Sequence, residues 1–136
     1  MKKVIYSICT VIMMFTASSC NLLLVAVRNV PTFFEAPEKV KNKITQPIRK
    51  DVRLSALWIG HATVLLQMDD KVIITDPFLT ETAGEFARRV VEPGIDAENI
   101  PPCDLILISH SHFDHLNLAS IEMLAEKNSN TALVFP

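Results

Sequence analysis

The stretch Leu105-Ile106-Leu107-Ile108-Ser109-His110-Ser111-His112-Phe113-Asp114-His115 governs the reading of the whole chain. Four consecutive apolar residues with no polar alternation predict a strand covered on both faces. Its end delivers three of the chain's four histidines and an aspartate within six residues. In an extended segment His110 and His112 point to the same side, so two imidazoles can meet one metal ion. The turn into a following helix then lets Asp114 and His115 face a second ion. Neutral imidazole and carboxylate suit zinc. Residue types, spacing and position at a strand end all favour a metal site over a polar loop that happens to contain histidines.

On the carboxyl side, Asn117 is a good N-cap, and Leu118, Ile121, Leu124 and Ala125 recur at helical spacing as far as Lys127. Asn128-Ser129-Asn130 ends that helix, and Thr131 to Phe135 opens another apolar strand. On the amino side, Gly84, Pro93, Gly94, Pro101 and Pro102 break up Pro77 to Cys103. This predicts a long loop whose one candidate helix is Glu85 to Val91. Before it, Thr63 to Met68 and Lys71 to Thr75 are β-branched and apolar and flank Asp69-Asp70, so they read as a hairpin with a less favourable turn than Asp-Gly. Leu54, Ala56 and Trp58 alternate with Arg53, Ser55 and Leu57, which predicts the first strand. Trp58 and Phe78 are expected in the core.

Three runs, Trp58-Ile59-Gly60-His61-Ala62-Thr63, Thr75-Asp76-Pro77-Phe78 and the cluster His110 to His115, together resemble the metallo-β-lactamase superfamily. Within it they are similar to the branch of N-acyl-phosphatidylethanolamine phospholipase D proteins and L-ascorbate-6-phosphate lactonases. The similarity covers residues 53–136. It implies an α+β fold, the amino-terminal half of a four-layer αββα domain. It also implies that His110 and His112 bind a first metal, that Asp114 and His115 bind a second, and that Asp76 hydrogen-bonds a metal-binding histidine and fixes its tautomer. His61, in a Gly-His turn, is a candidate catalytic residue beside Asp114, with a structural histidine bonded to backbone as the equal alternative.

The implied cofactor is Zn2+, two per complete domain, making hydroxide available near neutral pH for attack on a phosphoryl or carbonyl centre. No Gly-x-Ser-x-Gly elbow or phosphate-binding Gly-rich loop competes with this account. The implied function is a zinc-dependent hydrolase, a phospholipase D-like phosphodiesterase or a lactonase, acting on a small-molecule or phospholipid substrate. The family takes further histidines and a bridging aspartate from later in the chain, and neither residue type occurs after His115. The chain is therefore expected to be a truncated product or fragment, with weak or absent zinc binding and no substantial turnover alone. Two readings from other classes stand beside this one: a non-catalytic, membrane-attached lipoprotein module that keeps the fold, and a nuclease of the same superfamily.

Residues 1–19 have the layout of an export signal: Lys2 and Lys3, an apolar run from Val4 to Phe15, then Ala17, Ser18 and Ser19. Ala17-Ser18-Ser19-Cys20 resembles a bacterial lipobox, in which Cys20 is lipidated. An uncleaved anchor over Val4 to Val27, long enough for roughly 30 Å of hydrocarbon, is the competing reading, and a cleaved secretory signal a third. Residues 20–52, interrupted by Pro31, Pro37 and Pro47 and rich in lysine, are expected to be a membrane-proximal linker. The expected location is the cell envelope, with the membrane engaged through the lipid anchor or the apolar amino terminus. Cys103 would be the one cysteine of the mature domain and reads as a small buried thiol. The formal charge of −2 argues against nucleic acid as a partner, because that usually calls for a basic face.

Overall fold

The β-branched runs on either side of Asp69-Asp70 fold back on each other as β2 (Thr63–Met68) and β3 (Lys71–Thr75), with Leu65 opposite Ile74. Of the two turn residues, Asp69 takes a positive φ of 53°, a conformation aspartate tolerates better than most residues. Strand β1 (Leu54–Gly60) adds antiparallel to β2. Strand β6 (Leu105–Leu107) lies parallel to β3, and β7 (Ala132–Val134) parallel to β6. The result is a mixed five-stranded sheet in the order β1-β2-β3-β6-β7. The computed structural model describes residues 35–84 and 87–136. The expected export signal over 1–19 and Cys20 lie outside the described residues. Among the described residues no helix is long and apolar enough to cross a membrane.

Because side chains alternate across a sheet, each strand sends every second residue to the same face. Ile59, Leu65, Ile74 and Ile106 are buried on one face, beneath Leu124 of helix α1 (Leu118–Lys127) and the loop residues Ile95, Ile100 and Cys103. The other face carries Leu54, Trp58, Met68 and Val134, all exposed, with Leu66, Ile73, Leu105 and Leu107 half-buried between them. This corrects two expectations. Strand β6 is covered on one face by the described residues, not two. Trp58 is 69% exposed rather than in the core, whereas Phe78 is buried. Both faces of β1 are rich in apolar residues, so a period of two reveals the strand without revealing which face is covered.

The long loop also differs from expectation. Within the candidate helix Glu85–Val91, Ala87–Arg88 is instead strand β5, which pairs antiparallel with β4 (Thr82–Ala83), and Glu85 and Phe86 lie outside the described residues. Gly84 begins the reversal at φ 62°, which glycine adopts without a Cβ penalty. A Cβ there would stand 3.2 Å from Phe113 Cδ2. A 3-10 turn follows at Ala97–Asn99. Lys127 at the carboxyl end of α1 closes over that turn, donating to the carbonyls of Ala97 at 2.6 Å, Glu98 at 3.0 Å and Ile100 at 2.7 Å. The other end of α1 is capped by Asn117, whose Oδ1 accepts from the Ser120 amide at 3.0 Å.

The stretch ahead of β1, read above as linker, lies against this loop from Ala36 onward. Glu38 bridges to Val91 and Ile44 to Ile95, and Lys43 pairs with Asp96 at 2.6 Å and Glu92 at 3.0 Å. Cys103 is fully buried, and burial pushes its thiol up to about 11, which keeps it protonated and unreactive.

Candidate metal centre

Two turns present the site, and both hold a non-glycine residue in the left-handed region. Strand β1 ends in a register shift between Trp58 and Gly60; Gly60 at φ 138° then turns the chain into His61 at φ 52°. Asp76, directly after β3, sits at φ 38°. Such conformations cost about 1–3 kcal/mol each and persist where the surroundings hold them. Here they are held. The Trp58 indole donates to the His61 carbonyl at 2.8 Å. Buried Thr63 donates its hydroxyl to the Asp76 carbonyl at 2.8 Å and accepts from the Phe78 amide at 3.0 Å. The two upstream runs, Trp58 to Thr63 and Thr75 to Phe78, are thus stitched to each other.

The chain leaves β6 through Ile108 and Ser109 and turns through His112–His115 before α1 begins. This gathers all four histidines of the sequence. His61 Nε2 lies 2.9 Å from Asp114 Oδ2, and His115 Nε2 lies 3.8 Å from the same oxygen. Donor atoms of His61, Asp114 and His115 all fall within 4.8 Å of one another. His110 packs against His115 with ring centres 4.0 Å apart, and its Nε2 lies 2.8 Å from His112 Nδ1. To the two expected pairs the structure adds His61. Asp114 and His115 converge with His61, and His110 and His112 contact each other alongside.

Asp76 stands behind His115, its Oδ2 2.9 Å from Nδ1. Its two oxygens also accept from the Ser109 amide and hydroxyl, each at 2.7 Å. Burial works against ionisation of Asp76, but the bonds from His115 and Ser109 outweigh it and hold the carboxyl below the ordinary aspartate range. An ionised Asp76 accepts the Nδ1 proton of His115, which leaves Nε2 with its lone pair facing Asp114. Asp114 too is held low: burial opposes ionisation, and its own backbone amide, His115 and His61 overcome it.

Two imidazoles and one ionised carboxylate suit a divalent metal with an open position. Donors around a tetrahedral ion of zinc's bond lengths are roughly 3.4 Å apart, and the separations at Asp114 bracket that value, so the residues fit such an ion. Ser109 escaped the sequence reading. It is the residue immediately before His110, but serine has too many ordinary uses for its identity to signal a role.

A pocket of about 800 Å³ opens over this cluster, lined by Trp58, Phe78, Val90 and Phe113 beside His61, His112 and Asp114. Arg89 forms part of its wall.

The family model for the β-lactamase superfamily domain matches residues 56–133. Among curated proteins, the chain is 31% identical over 93 residues to the N-acyl-phosphatidylethanolamine-hydrolyzing phospholipase D 1 of Caenorhabditis elegans, covering 65% of this chain and 26% of that protein. It is 32% identical over 79 residues to a metal-dependent hydrolase of Thermodesulfovibrio yellowstonii, 57% of this chain and 27% of that protein. It is also 39% identical over 75 residues to the cytidine monophosphate-N-acetylneuraminic acid hydroxylase of Asterias rubens, 52% of this chain and 11% of that protein. The chain thus spans about a quarter or less of these relatives. The family match runs from β1 to β7, the sheet that carries the histidine cluster, and on it the chain belongs to the metallo-β-lactamase superfamily.

Proposed function

We propose that this chain provides the substrate-facing metal site of a zinc-dependent hydrolase, a phosphodiesterase or lactonase attached to the cell envelope. One observation carries the reading: His61, Asp114 and His115 converge beside an apolar pocket that His61 and Asp114 help to line, with Asp76 locking His115 from behind. His61, Asp114 and His115 would hold one ion, with His110 and His112 placed to serve a second. A divalent metal bound there supplies Lewis acidity at a phosphoryl or carbonyl centre and makes water acidic enough to act near neutral pH.

The chain's own residues contribute the rest. Asp76 fixes which nitrogen of His115 carries the proton. Asp114, kept ionised, presents a carboxylate oxygen 2.9 Å from His61 Nε2, so both would face the same ion. The apolar pocket wall excludes water and favours a substrate with an apolar part. Similarity to a phospholipase D supports the phosphodiester class, and the pattern of residues 1–20 supports attachment through Cys20 or an apolar anchor.

A hydrolysis assay on the longest natural chain containing these residues tests the reading. A chromogenic phosphodiester or a lactone should be cleaved in a zinc-dependent manner, and His115→Ala should abolish turnover. Cleavage that persists with a strong chelator present would overturn it.

A second reading, a non-catalytic lipoprotein module that keeps the fold, draws on the export-signal pattern of residues 1–20. Zinc content of that same natural chain separates the two: near two ions per chain for the enzyme, none under zinc-replete conditions for the module.

A further inference from the structure

Arg89 is 8% exposed, yet it has no carboxylate partner among the described residues. Its Nε donates to the Val91 carbonyl at 2.6 Å, and its Nη1 to the carbonyls of Phe78 at 2.9 Å and Thr80 at 3.3 Å. All three acceptors are neutral. Its guanidinium lies over the Phe78 ring, with Cζ 4.7 Å from the ring centre. Burial pulls the guanidinium below its ordinary pKa, with Glu92 acting only weakly in the other direction. A buried cation is costly without a counter-charge.

Nη2 donates to no described group. Every fully buried side-chain nitrogen or oxygen among the described residues has a partner, so Nη2 is not fully buried, and Arg89 lines the pocket over the histidine cluster. Nη2 faces Gly60, where even an added Cβ would stand 3.5 Å away, in ordinary contact. The remainder of the guanidinium is pinned, so its free edge is pre-oriented for an oxyanion.

We propose that Arg89 is the recognition point for an anionic head group, and that the pocket's ligand is an anionic amphiphile whose apolar chain lies along Trp58, Phe78 and Phe113. This deepens the hydrolase reading by giving its substrate a charge and a shape. Arg89 acts as a binding and positioning residue. The neighbouring Arg88 already pairs with Glu81 at 3.1 Å, so it is the less available cation.

Trp58 is the only tryptophan of the sequence and lines this pocket, so its fluorescence reports occupancy. The full 136-residue chain is titrated, in excess chelator and below the aggregation concentration of each probe, with dodecyl phosphate, dodecanoate, dodecanol and inorganic phosphate. Both anionic amphiphiles should bind about tenfold or more tighter than dodecanol, the scale of a hydrogen bond to a charged group. Inorganic phosphate should bind far more weakly than either. Arg89→Gln, checked for folding by circular dichroism, should close the gap to dodecanol. Equal affinities for dodecanol and the anions, or a gap that persists in folded Arg89→Gln, would overturn the proposal. The wild-type comparison holds whether or not the variant folds. Because no metal is present, failure here leaves the metal reading standing, and a chain that binds no metal can still pass this test.

Discussion

Asp76 and His115 stand 39 positions apart in the chain, yet Oδ2 of one lies 2.9 Å from Nδ1 of the other. This contact gives a part-buried histidine a defined tautomer, the one the proposed metal site requires. Asp76→Asn keeps the side-chain shape, and asparagine tolerates the φ of 38° at this position. Zinc affinity should fall about 10–100-fold, the usual cost of losing such an outer partner. Competition against a chelating dye measures it, and an unchanged affinity would show that Asp76 only shapes the turn.

A second carboxylate ties the same sheet together away from the site. Asp104 accepts from the Val72 amide at 2.9 Å and pairs with Lys71 at 3.2 Å, and these two bonds hold its pKa below the ordinary aspartate value. The folded-state pKa is the lower one, so the stabilisation is full above the ordinary value of about 3.9 and is lost as pH falls through the folded value. Asp104→Asn should therefore lose less stability than the parent between about pH 5 and pH 3. Urea unfolding at both pH values checks this, and parallel losses would contradict it.

Lys127 closes α1 onto the 3-10 turn through three carbonyls. Lys127→Met keeps the apolar stem and removes every one of those donors. Stability should drop by about 1–3 kcal/mol, the range for hydrogen bonds to a charged group. Denaturant titration is the measurement, and a change below 0.5 kcal/mol, the ordinary surface range, would mean the ammonium is solvated in solution.

The uncovered sheet face makes a different kind of prediction. Leu54 and Met68 are direct cross-strand partners, 67% and 50% exposed. The double variant Leu54→Lys with Met68→Glu places opposite charges there and should alter stability by no more than about 0.5 kcal/mol. It should also reduce self-association and binding of apolar dyes, because exposed apolar patches drive both. Sedimentation velocity reads the first effect, and a variant that unfolds would show that this face is covered.

Sequence and structure agree best where chemistry restricts residue choice. Few side-chain types bind zinc, so the run His110 to His115 marked a metal site by residue type and spacing, while the ligand roles came from the family resemblance; the structure brings these residues together with His61 and Asp76. Where a role comes from tertiary placement, the residues are silent. Ser109 and Arg89 matter because of what folds against them, and Arg89 lies in a segment with no periodicity. Trp58 was misplaced because both faces of β1 are apolar. Part of the candidate helix over Glu85–Val91 is strand β5 instead, because Ala87 and Arg88 pair with β4. The packing of Glu38 and Ile44 on the 90–96 loop uses backbone bridges, which leave no pattern in side-chain type.

The central claim is that His61, Asp114 and His115, with Asp76 behind, form a metal site. All four histidines of the chain lie in it or directly beside it, so imidazole nitrogen resonances of the 15N-labelled protein report the site and its immediate neighbours. On zinc titration at constant pH, His115 should keep its proton on Nδ1 while its Nε2 resonance, with that of His61, moves to a metal-bound position. The same zinc concentrations should leave His115 of the Asp76→Asn variant largely unbound. Four imidazoles that stay unperturbed up to millimolar zinc, with the chain folded, would contradict the account.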